Sequence, residues 1–118
     1  MKENIIQVKS FAFAIRIVNA YKYLQSEKKE FVLSKQMLRS GTSIGANVEE
    51  AIGGQSNKDF IAKISIAYKE ARETKYWINL LFATNYMEEN AANALLQDIE
   101  ELSKVLSSIL VSSKEQYF

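Results

Sequence analysis

The feature that most constrains this sequence is that apolar residues recur at helical spacing along a chain without a single proline. Proline is the strongest helix breaker, because it lacks an N–H group and its ring clashes with the preceding turn. Apolar residues that recur at steps of three and four indicate amphipathic helices. We therefore predict four helices, at residues 2–25, 33–52, 57–83 and 90–114.

The ends of these helices carry signals of their own. Ser56 precedes the third helix and Asp59 follows three residues later, which is a carboxylate version of a capping box. Gly53 and Gly54 favour a stop after the second helix, since glycine adopts the left-handed conformation past a helix end. Asn90 is the predicted cap of the fourth helix, and the C-terminal tail EQYF is expected to fray.

Helices of about 20 to 28 residues joined by short loops predict an all-α fold, an up-down-up-down antiparallel four-helix bundle. A chain of 118 residues is too short for two ordinary domains, so residues 1–118 are expected to form one. The first helix is apolar over two stripes, which is wider than one core contact needs. The first stripe holds Phe11, Ala14, Ile15, Val18, Tyr21 and Leu24, and the second holds Phe13, Ile17 and Ala20.

The composition excludes several classes of function. Without cysteine or histidine, the chain has no thiolate metal site and lacks the commonest general base and metal ligand. Its 15 basic and 14 acidic residues leave a net charge of +1, so overall charge provides no attraction to nucleic acid. No apolar run approaches the roughly 20 residues that a membrane span needs. We expect a cytoplasmic protein without a cofactor, a metal ion or a membrane contact.

The stretch RSGTSIGANVEEA places two glycines inside the second helix. Each costs roughly 1 kcal/mol relative to alanine in a helix interior. Gly41 and Gly45 lie one turn apart on one side of the helix, where they let another backbone approach closely. Ser40, Ser43 and Asn47 add small polar surface nearby. Two interpretations are open: tight packing within the bundle, or a site where another subunit or a ligand meets the helix.

The third helix carries two carboxylates, Glu70 and Glu73, in a second seam beside its core seam. Carboxylates on a partly buried face need partners, and the candidates are Arg39 and Arg72, together with Lys69 and Lys75. Alternatively, both are solvated or form helix-surface pairs such as Lys69 with Glu73. A di-metal site is not expected, because the sequence offers no histidine to complete it. A remote alternative is a small-ligand or enzymatic pocket built around the two carboxylates.

Nucleic-acid binding would need a local basic patch, because the chain as a whole is nearly neutral. The candidate phosphate contacts are Lys9, Arg16, Lys22, Lys63, Lys69, Arg72 and Lys75. Tyr68 and Tyr76 lie among the last three of these on the third helix, where exposed rings could stack on bases. The competing interpretation is that these rings belong to the core or to an interface.

Two blocks of the sequence resemble a known family. LSKQMLRSGTSIGANVEEA in the second helix and KDFIAKISIAYKEARETKYWINLL in the third are similar to blocks of the small bacterial proteins encoded in intervening sequences of 23S rRNA genes. These proteins are often labelled S23 ribosomal proteins. The blocks are also similar to the accessory variability protein of diversity-generating retroelements, and the likeness covers residues from about 8 to about 110.

The resemblance implies a four-helix bundle that assembles as a ring-like homopentamer and has no enzymatic activity. It also implies a set of polar positions, which correspond here to Arg39, Ser40, Ser43, Asn47, Glu50, Glu70 and Glu73. In this interpretation the two glycines allow close helix approach, and Arg39 with Glu70 or Glu73 sets the register in a polar network that includes Glu50. We expect a non-enzymatic, self-assembling bundle, with RNA or DNA binding as the alternative function.

Overall fold

The computed structural model describes the backbone of residues 2–117 and the side chains of residues 5–114. Its helices are α1 (Lys2–Ser26), α2 (Leu33–Ile52), α3 (Asn57–Ala83) and α4 (Glu89–Tyr117). Each helix packs against the next along the chain, and α1 also meets α4, which closes the bundle. The predicted all-α, up-down-up-down antiparallel four-helix bundle is confirmed, and it measures 47 × 21 × 20 Å.

The core extends along the bundle and takes side chains from all four helices. Its largest fully buried residues are Ile6, Phe13, Ile17, Leu24, Met37, Ile44, Ile64, Ile78, Leu81, Ile99, Leu102 and Leu106. Burying each of them contributes about 1.5–3 kcal/mol relative to leaving it in water. In α2, α3 and α4 these are residues at the predicted helical spacing, so the core seams expected for those helices are confirmed.

Helix α1 buries one apolar stripe and leaves much of the other in solvent. Phe13 and Ile17, from the second stripe, lie in the core. Phe11 and Ile15, from the first stripe, are 67% and 50% exposed. Successive helical residues are about 100° apart, so residues 11 and 15 point away from the side that residues 13 and 17 occupy. Leu24 was predicted with the first stripe, but it lies in the core with the second.

The exposed apolar surface of α1 extends towards its N-terminus. Ile5 and Val8 are 51% and 67% exposed, and they continue the line of Phe11 and Ile15 along the outer side of the helix. We call these four residues the α1 stripe. None of the four helices, over the residues described, has a segment apolar enough to cross a lipid bilayer.

The predicted end signals are partly confirmed. The hydroxyl of Ser56 accepts a hydrogen bond from the Asp59 N–H at 3.1 Å, as the capping box predicts. Helix α2 does stop at Ile52, but the prediction of a left-handed glycine was wrong, because Gly53 has a φ of −85°. Its N–H instead donates to the Glu49 carbonyl at 3.1 Å and closes the helix in a right-handed turn.

Two other predictions about helix ends need correction. Helix α4 begins at Glu89, so Asn90 lies inside its first turn and is not the cap. The Ala92 N–H already donates to the Glu88 carbonyl at 2.9 Å, which starts the helix before Asn90. The tail that was expected to fray remains helical through Tyr117, and Phe118 lies outside the described residues.

Candidate functional site

The two glycines of α2 face α1, inside the bundle. Gly41 is buried, and a Cβ atom added there would lie 2.9 Å from two side-chain carbons of Ile17. Gly45 is half-buried, and a Cβ atom there would lie 3.5 Å from the backbone carbonyl oxygen of Ser10. The close approach that these glycines permit is therefore made by α1 of the same chain.

The small polar residues of the same stretch lie on a different side of α2. The Ser40 hydroxyl is buried, 2.8 Å from the hydroxyl of Thr74 on α3. Ser43 donates to the Arg39 carbonyl and Asn47 donates to the Ser43 carbonyl, so both satisfy carbonyls of their own helix. The single groove expected from glycines and serines together was wrong. Residues two apart on a helix differ by about 200°, so the polar set and the glycines point to different neighbours.

Arg39 connects α2 to both carboxylates of α3. Its guanidinium lies 3.4 Å from the Glu70 carboxylate and also forms an ion pair with Glu73. The Trp77 indole N–H donates to Glu73 at 3.0 Å. The hydrogen bond from Trp77, followed by that from Arg39, lowers the pKa of Glu73, so this carboxyl group is held ionised.

Glu50 does not belong to this network. Its carboxylate pairs with Lys63 at 2.8 Å instead. Glu50 follows Arg39 by eleven residues, which places it about 16 Å further along α2 and beyond the reach of the same partners. The predicted four-residue polar network therefore divides into two separate groups, both joining α2 to α3.

One oxygen of Glu70 remains without a partner. Atom Oε1 is buried and accepts no hydrogen bond from the described residues, although Oε2 faces Arg39. A buried unpaired acceptor usually costs about 1–3 kcal/mol. Among the described residues, no group of three or more carboxylates is arranged to hold a metal ion. Arg39 and Trp77 thus compensate the charge of the pair Glu70 and Glu73.

The seven predicted phosphate contacts do not form one surface. Four of them already pair with acidic side chains: Lys9 with Glu101, Arg16 with Asp98, Lys63 with Glu50 and Lys75 with Glu100. Lys22, Lys69 and Arg72 are exposed and have no ion-pair partner among the described side chains. Two of the paired cations link α1 to α4, one links α2 to α3 and one links α3 to α4. Most of the seven predicted phosphate contacts therefore join helices to one another.

A polar groove runs between α3 and α4. Its volume is about 780 Å³, and Tyr68, Arg72, Lys75 and Tyr76 line its α3 side. The α4 side supplies Ser103, Lys104, Ser107 and Ser108, together with Glu100. On its α3 side, the groove contains the basic and aromatic residues that the sequence indicated. On its α4 side, it contains residues that the sequence analysis did not single out. The spacing of Ser103, Lys104, Ser107 and Ser108 at steps of one, three and one was the available signal, since it marks one polar side of a helix.

These features define a class of protein, a closed bundle of four antiparallel helices whose ion pairs, among the described side chains, bridge neighbouring helices. The chain belongs to the 23S rRNA-intervening sequence protein family, whose model matches residues 2–108. The resemblance inferred from the two sequence blocks is therefore confirmed.

A solved structure supports the same assignment. A protein with unknown function from the S23 ribosomal protein family of Bacteroides thetaiotaomicron VPI-5482, whose crystal structure was determined at 1.70 Å resolution, is 54% identical to this chain. The match covers 93% of this chain and 98% of that protein, with a TM-score of 0.92. No curated protein matches the chain. The family and its solved member thus establish the fold, while their molecular role is unknown.

Proposed function

We propose that the protein is a non-enzymatic, self-assembling helical scaffold in the cytoplasm, and that copies of the chain cover one another's α1 stripe. The observation that carries this proposal is the exposure of Ile5, Val8, Phe11 and Ile15, which lies between 50% and 67%. Scattered apolar residues on a surface are ordinary, but a continuous apolar line along one helix favours contact with another protein surface. Covering the exposed half of each side chain would stabilise an assembly by about 1 kcal/mol per residue.

The number of copies follows from the family resemblance, which implies a ring-like homopentamer. A closed ring needs a heterologous interface, in which two different surfaces of each copy meet. The α1 stripe is one such surface. The mixed ion pairs on the other sides of the bundle suit a protein whose association depends on apolar contact more than on charge.

Light scattering tests this proposal at micromolar concentration. We expect a mass of about 67 kDa for a ring of five chains of 13.4 kDa each. The double variant Phe11→Gln/Ile15→Gln should dissociate towards the single-chain mass while it retains the helical circular dichroism of the wild type. A wild type that scatters as a single chain at this concentration would contradict the proposal.

The loop between α1 and α2 provides a matched control. Phe31 and Val32 are also one aromatic and one branched residue, and they are 51% and 70% exposed. The variant Phe31→Gln/Val32→Gln should keep the mass of the wild type. If both double variants dissociate equally, apolar exposure in general sustains the assembly and the α1 stripe has no particular role.

The second candidate function is nucleic-acid binding, and the groove between α3 and α4 favours it. Ion pairs neutralise most of the seven cations taken from the sequence, so a site distributed over the whole bundle has little support. Arg72 is a groove residue without an ion-pair partner among the described side chains. A steep fall of affinity with rising salt would support this function. Absence of RNA and DNA binding at low ionic strength would remove it.

The remote alternative of a ligand pocket at Glu70 and Glu73 has less support. Arg39 and Trp77 already donate hydrogen bonds to these carboxylates, and neither carboxylate lines the groove between α3 and α4. Glu70→Gln/Glu73→Gln would have to change an activity without changing assembly for this alternative to stand.

A further inference from the structure

We propose that the groove between α3 and α4 is a binding site for single-stranded nucleic acid, an inference that rests on the second candidate function above. Among the groove residues, Arg72 and Lys104 would contact phosphates, and Tyr76 would stack on a base. This assignment places the binding site on one surface, whereas the cations predicted from the sequence are dispersed over the bundle. It also adds α4 residues that the sequence had not indicated.

The charge of the protein is concentrated in this groove. Three cations line it, Arg72, Lys75 and Lys104, against one carboxylate, Glu100. The groove takes three of the 15 basic and one of the 14 acidic residues, so the rest of the chain carries 12 basic and 13 acidic residues. A nearly neutral protein therefore presents a local excess of positive charge, which is the requirement for contact with a phosphate backbone.

Two of these cations are available to a ligand. Lys75 lies 3.0 Å from Glu100 and is occupied by it. Arg72 and Lys104 have no carboxylate within ion-pair distance among the described side chains. They come from different helices, so they border the groove from its two sides. A phosphate in the groove could therefore contact cations from both helices.

The uncharged lining suits the same ligand. Ser103, Ser107 and Ser108 bring hydroxyl groups from α4, and Asn79 brings a side-chain amide from α3. Hydroxyl and amide groups commonly donate hydrogen bonds to phosphate and sugar oxygens of nucleic acids.

Tyr76 supplies a ring for base stacking. It is 57% exposed, and it contacts Trp77 edge-on with ring centroids 5.0 Å apart. The Tyr76 side chain thus rests against Trp77 and still has more than half of its surface in solvent. Exposed aromatic rings beside cations are the common platform for single strands, because every base has a face that can stack.

The length of the groove favours a short single strand over a duplex. Tyr68 and Asn79 mark its ends on α3, eleven residues or about 16 Å apart. At about 3.4 Å per stacked nucleotide, this length accommodates roughly five nucleotides of one strand. Neighbouring packed helices lie about 8–10 Å apart, which leaves a groove too narrow to receive a double helix.

Fluorescence anisotropy with the full chain tests the site. The probes are a labelled 12-nucleotide RNA without secondary structure, DNA of the same sequence, and the corresponding DNA duplex, each at 50 and 200 mM NaCl. We expect both single strands to bind more tightly than the duplex. Stronger binding of RNA than of DNA would indicate contacts to the 2′-hydroxyls. Equal binding would indicate that the groove contacts only phosphates and bases, and either result supports the proposal. Preference for the duplex would overturn it.

Two matched pairs of variants locate the binding. Arg72→Gln/Lys104→Gln should weaken binding of the RNA at least tenfold at 50 mM NaCl and lower the salt slope by about 1.4, at roughly 0.7 per lost phosphate contact. Lys28→Gln/Lys35→Gln removes the same charge from exposed positions outside the groove and should change affinity by no more than about threefold. Tyr76→Ala should weaken binding several-fold, whereas Tyr23→Ala, also exposed but outside this groove, should not.

The outcomes separate this inference from the function on which it rests. If the wild type binds RNA but both charge variants weaken it equally, the protein binds nucleic acid and the groove is not the site. If the wild type does not bind at 50 mM NaCl, the inference and the second candidate function both fail. If Arg72→Gln/Lys104→Gln changes the mass in light scattering, the groove is a contact between copies and the inference is overturned.

Discussion

Gly41 of α2 lies directly against the side chain of Ile17 of α1. A Cβ atom at Gly41 would be 2.9 Å from both Cγ1 and Cγ2 of Ile17, a distance that real Cβ atoms do not adopt. Both carbons are attached to the Ile17 Cβ, and a β-branched side chain in a helix has essentially one χ1 rotamer. Ile17 therefore cannot turn aside, and the crossing of α1 and α2 depends on a residue without a side chain.

The two glycines of α2 should consequently respond in opposite directions to alanine. We expect Gly41→Ala to lower the free energy of unfolding by about 1–2 kcal/mol, since overpacking exceeds the gain in helix propensity. Gly45→Ala should raise it by up to about 1 kcal/mol, because a Cβ atom there meets Ser10 at ordinary contact distance. Urea unfolding of the two variants measures both effects. Equal responses would show that the contact with Ile17 is not the cause.

A double-mutant cycle isolates the contact between the two helices. The cost of Gly41→Ala should largely disappear in an Ile17→Ala background, because the two close carbons are then absent. Ile17→Ala alone is expected to cost about 2–5 kcal/mol, as other large-to-small changes in a core do. Additive effects of the two changes would contradict the proposed steric origin.

Glu30 predicts a pH dependence of stability. Its buried carboxylate accepts hydrogen bonds from the N–H groups of Val32, Leu33 and Ser34, which closes the N-terminus of α2. Burial raises the pKa of Glu30, but these hydrogen bonds together outweigh it and the pKa lies below its ordinary value. A carboxyl group with a lowered folded pKa stabilises the protein above its unfolded pKa, and this contribution is lost as pH falls through the folded pKa.

We therefore expect Glu30→Gln to reduce the free energy of unfolding by about 1 kcal/mol at pH 7. The difference from the wild type should shrink progressively as pH falls below the ordinary glutamate pKa of 4.5 towards the lower pKa of Glu30 in the folded protein. Urea unfolding at pH 7 and pH 3 measures it. Glu27→Gln, at an exposed position in the same loop, should change the stability by less than about 0.5 kcal/mol at either pH. A Glu30→Gln effect that is constant with pH would exclude the carboxylate as its cause.

Arg39 predicts a salt-dependent contribution to the pairing of α2 and α3. Its ion pairs with Glu70 and Glu73 include a half-exposed guanidinium, so Arg39→Leu should cost only about 1 kcal/mol in low salt. The cost should fall in 1 M NaCl, where exposed charges are screened. Lys69→Leu, at an exposed neighbouring position without an ion pair in the described region, should cost less than half as much. Equal costs for the two variants would show that the carboxylates do not depend on Arg39.

The hydroxyl pair between Ser40 and Thr74 predicts a measurable coupling. Both side chains are buried, and their oxygens are 2.8 Å apart. Thr74→Val should cost about 1–2 kcal/mol, because it leaves the Ser40 hydroxyl without its partner on α3. In a Ser40→Ala background the same change should cost distinctly less. Thermal or urea unfolding of the four proteins measures the coupling, and strict additivity would contradict a hydrogen bond between the helices.

The number of helices, their approximate limits and the core seams of α2, α3 and α4 could all be predicted from the sequence. Each depends on local properties, namely the 3.6-residue period, the absence of proline and a cap such as Ser56. The contact between Arg39 and the carboxylates of α3 could also be predicted from the sequence, because it requires only that α2 and α3 be neighbours. Membership of the family followed from two sequence blocks and was confirmed by the family model and the solved structure.

Tertiary structure alone decided which surfaces remained free. The sequence showed two apolar stripes on α1, but only the packing of α2 and α4 against it determined that Phe13 is buried and Phe11 is exposed. The same holds for the cations, since Lys9 and Arg16 are neutralised by α4 residues more than 80 positions away in the chain. Helical period specifies the side of a helix on which a residue lies, whereas the element that covers that side is set by the arrangement of all four helices.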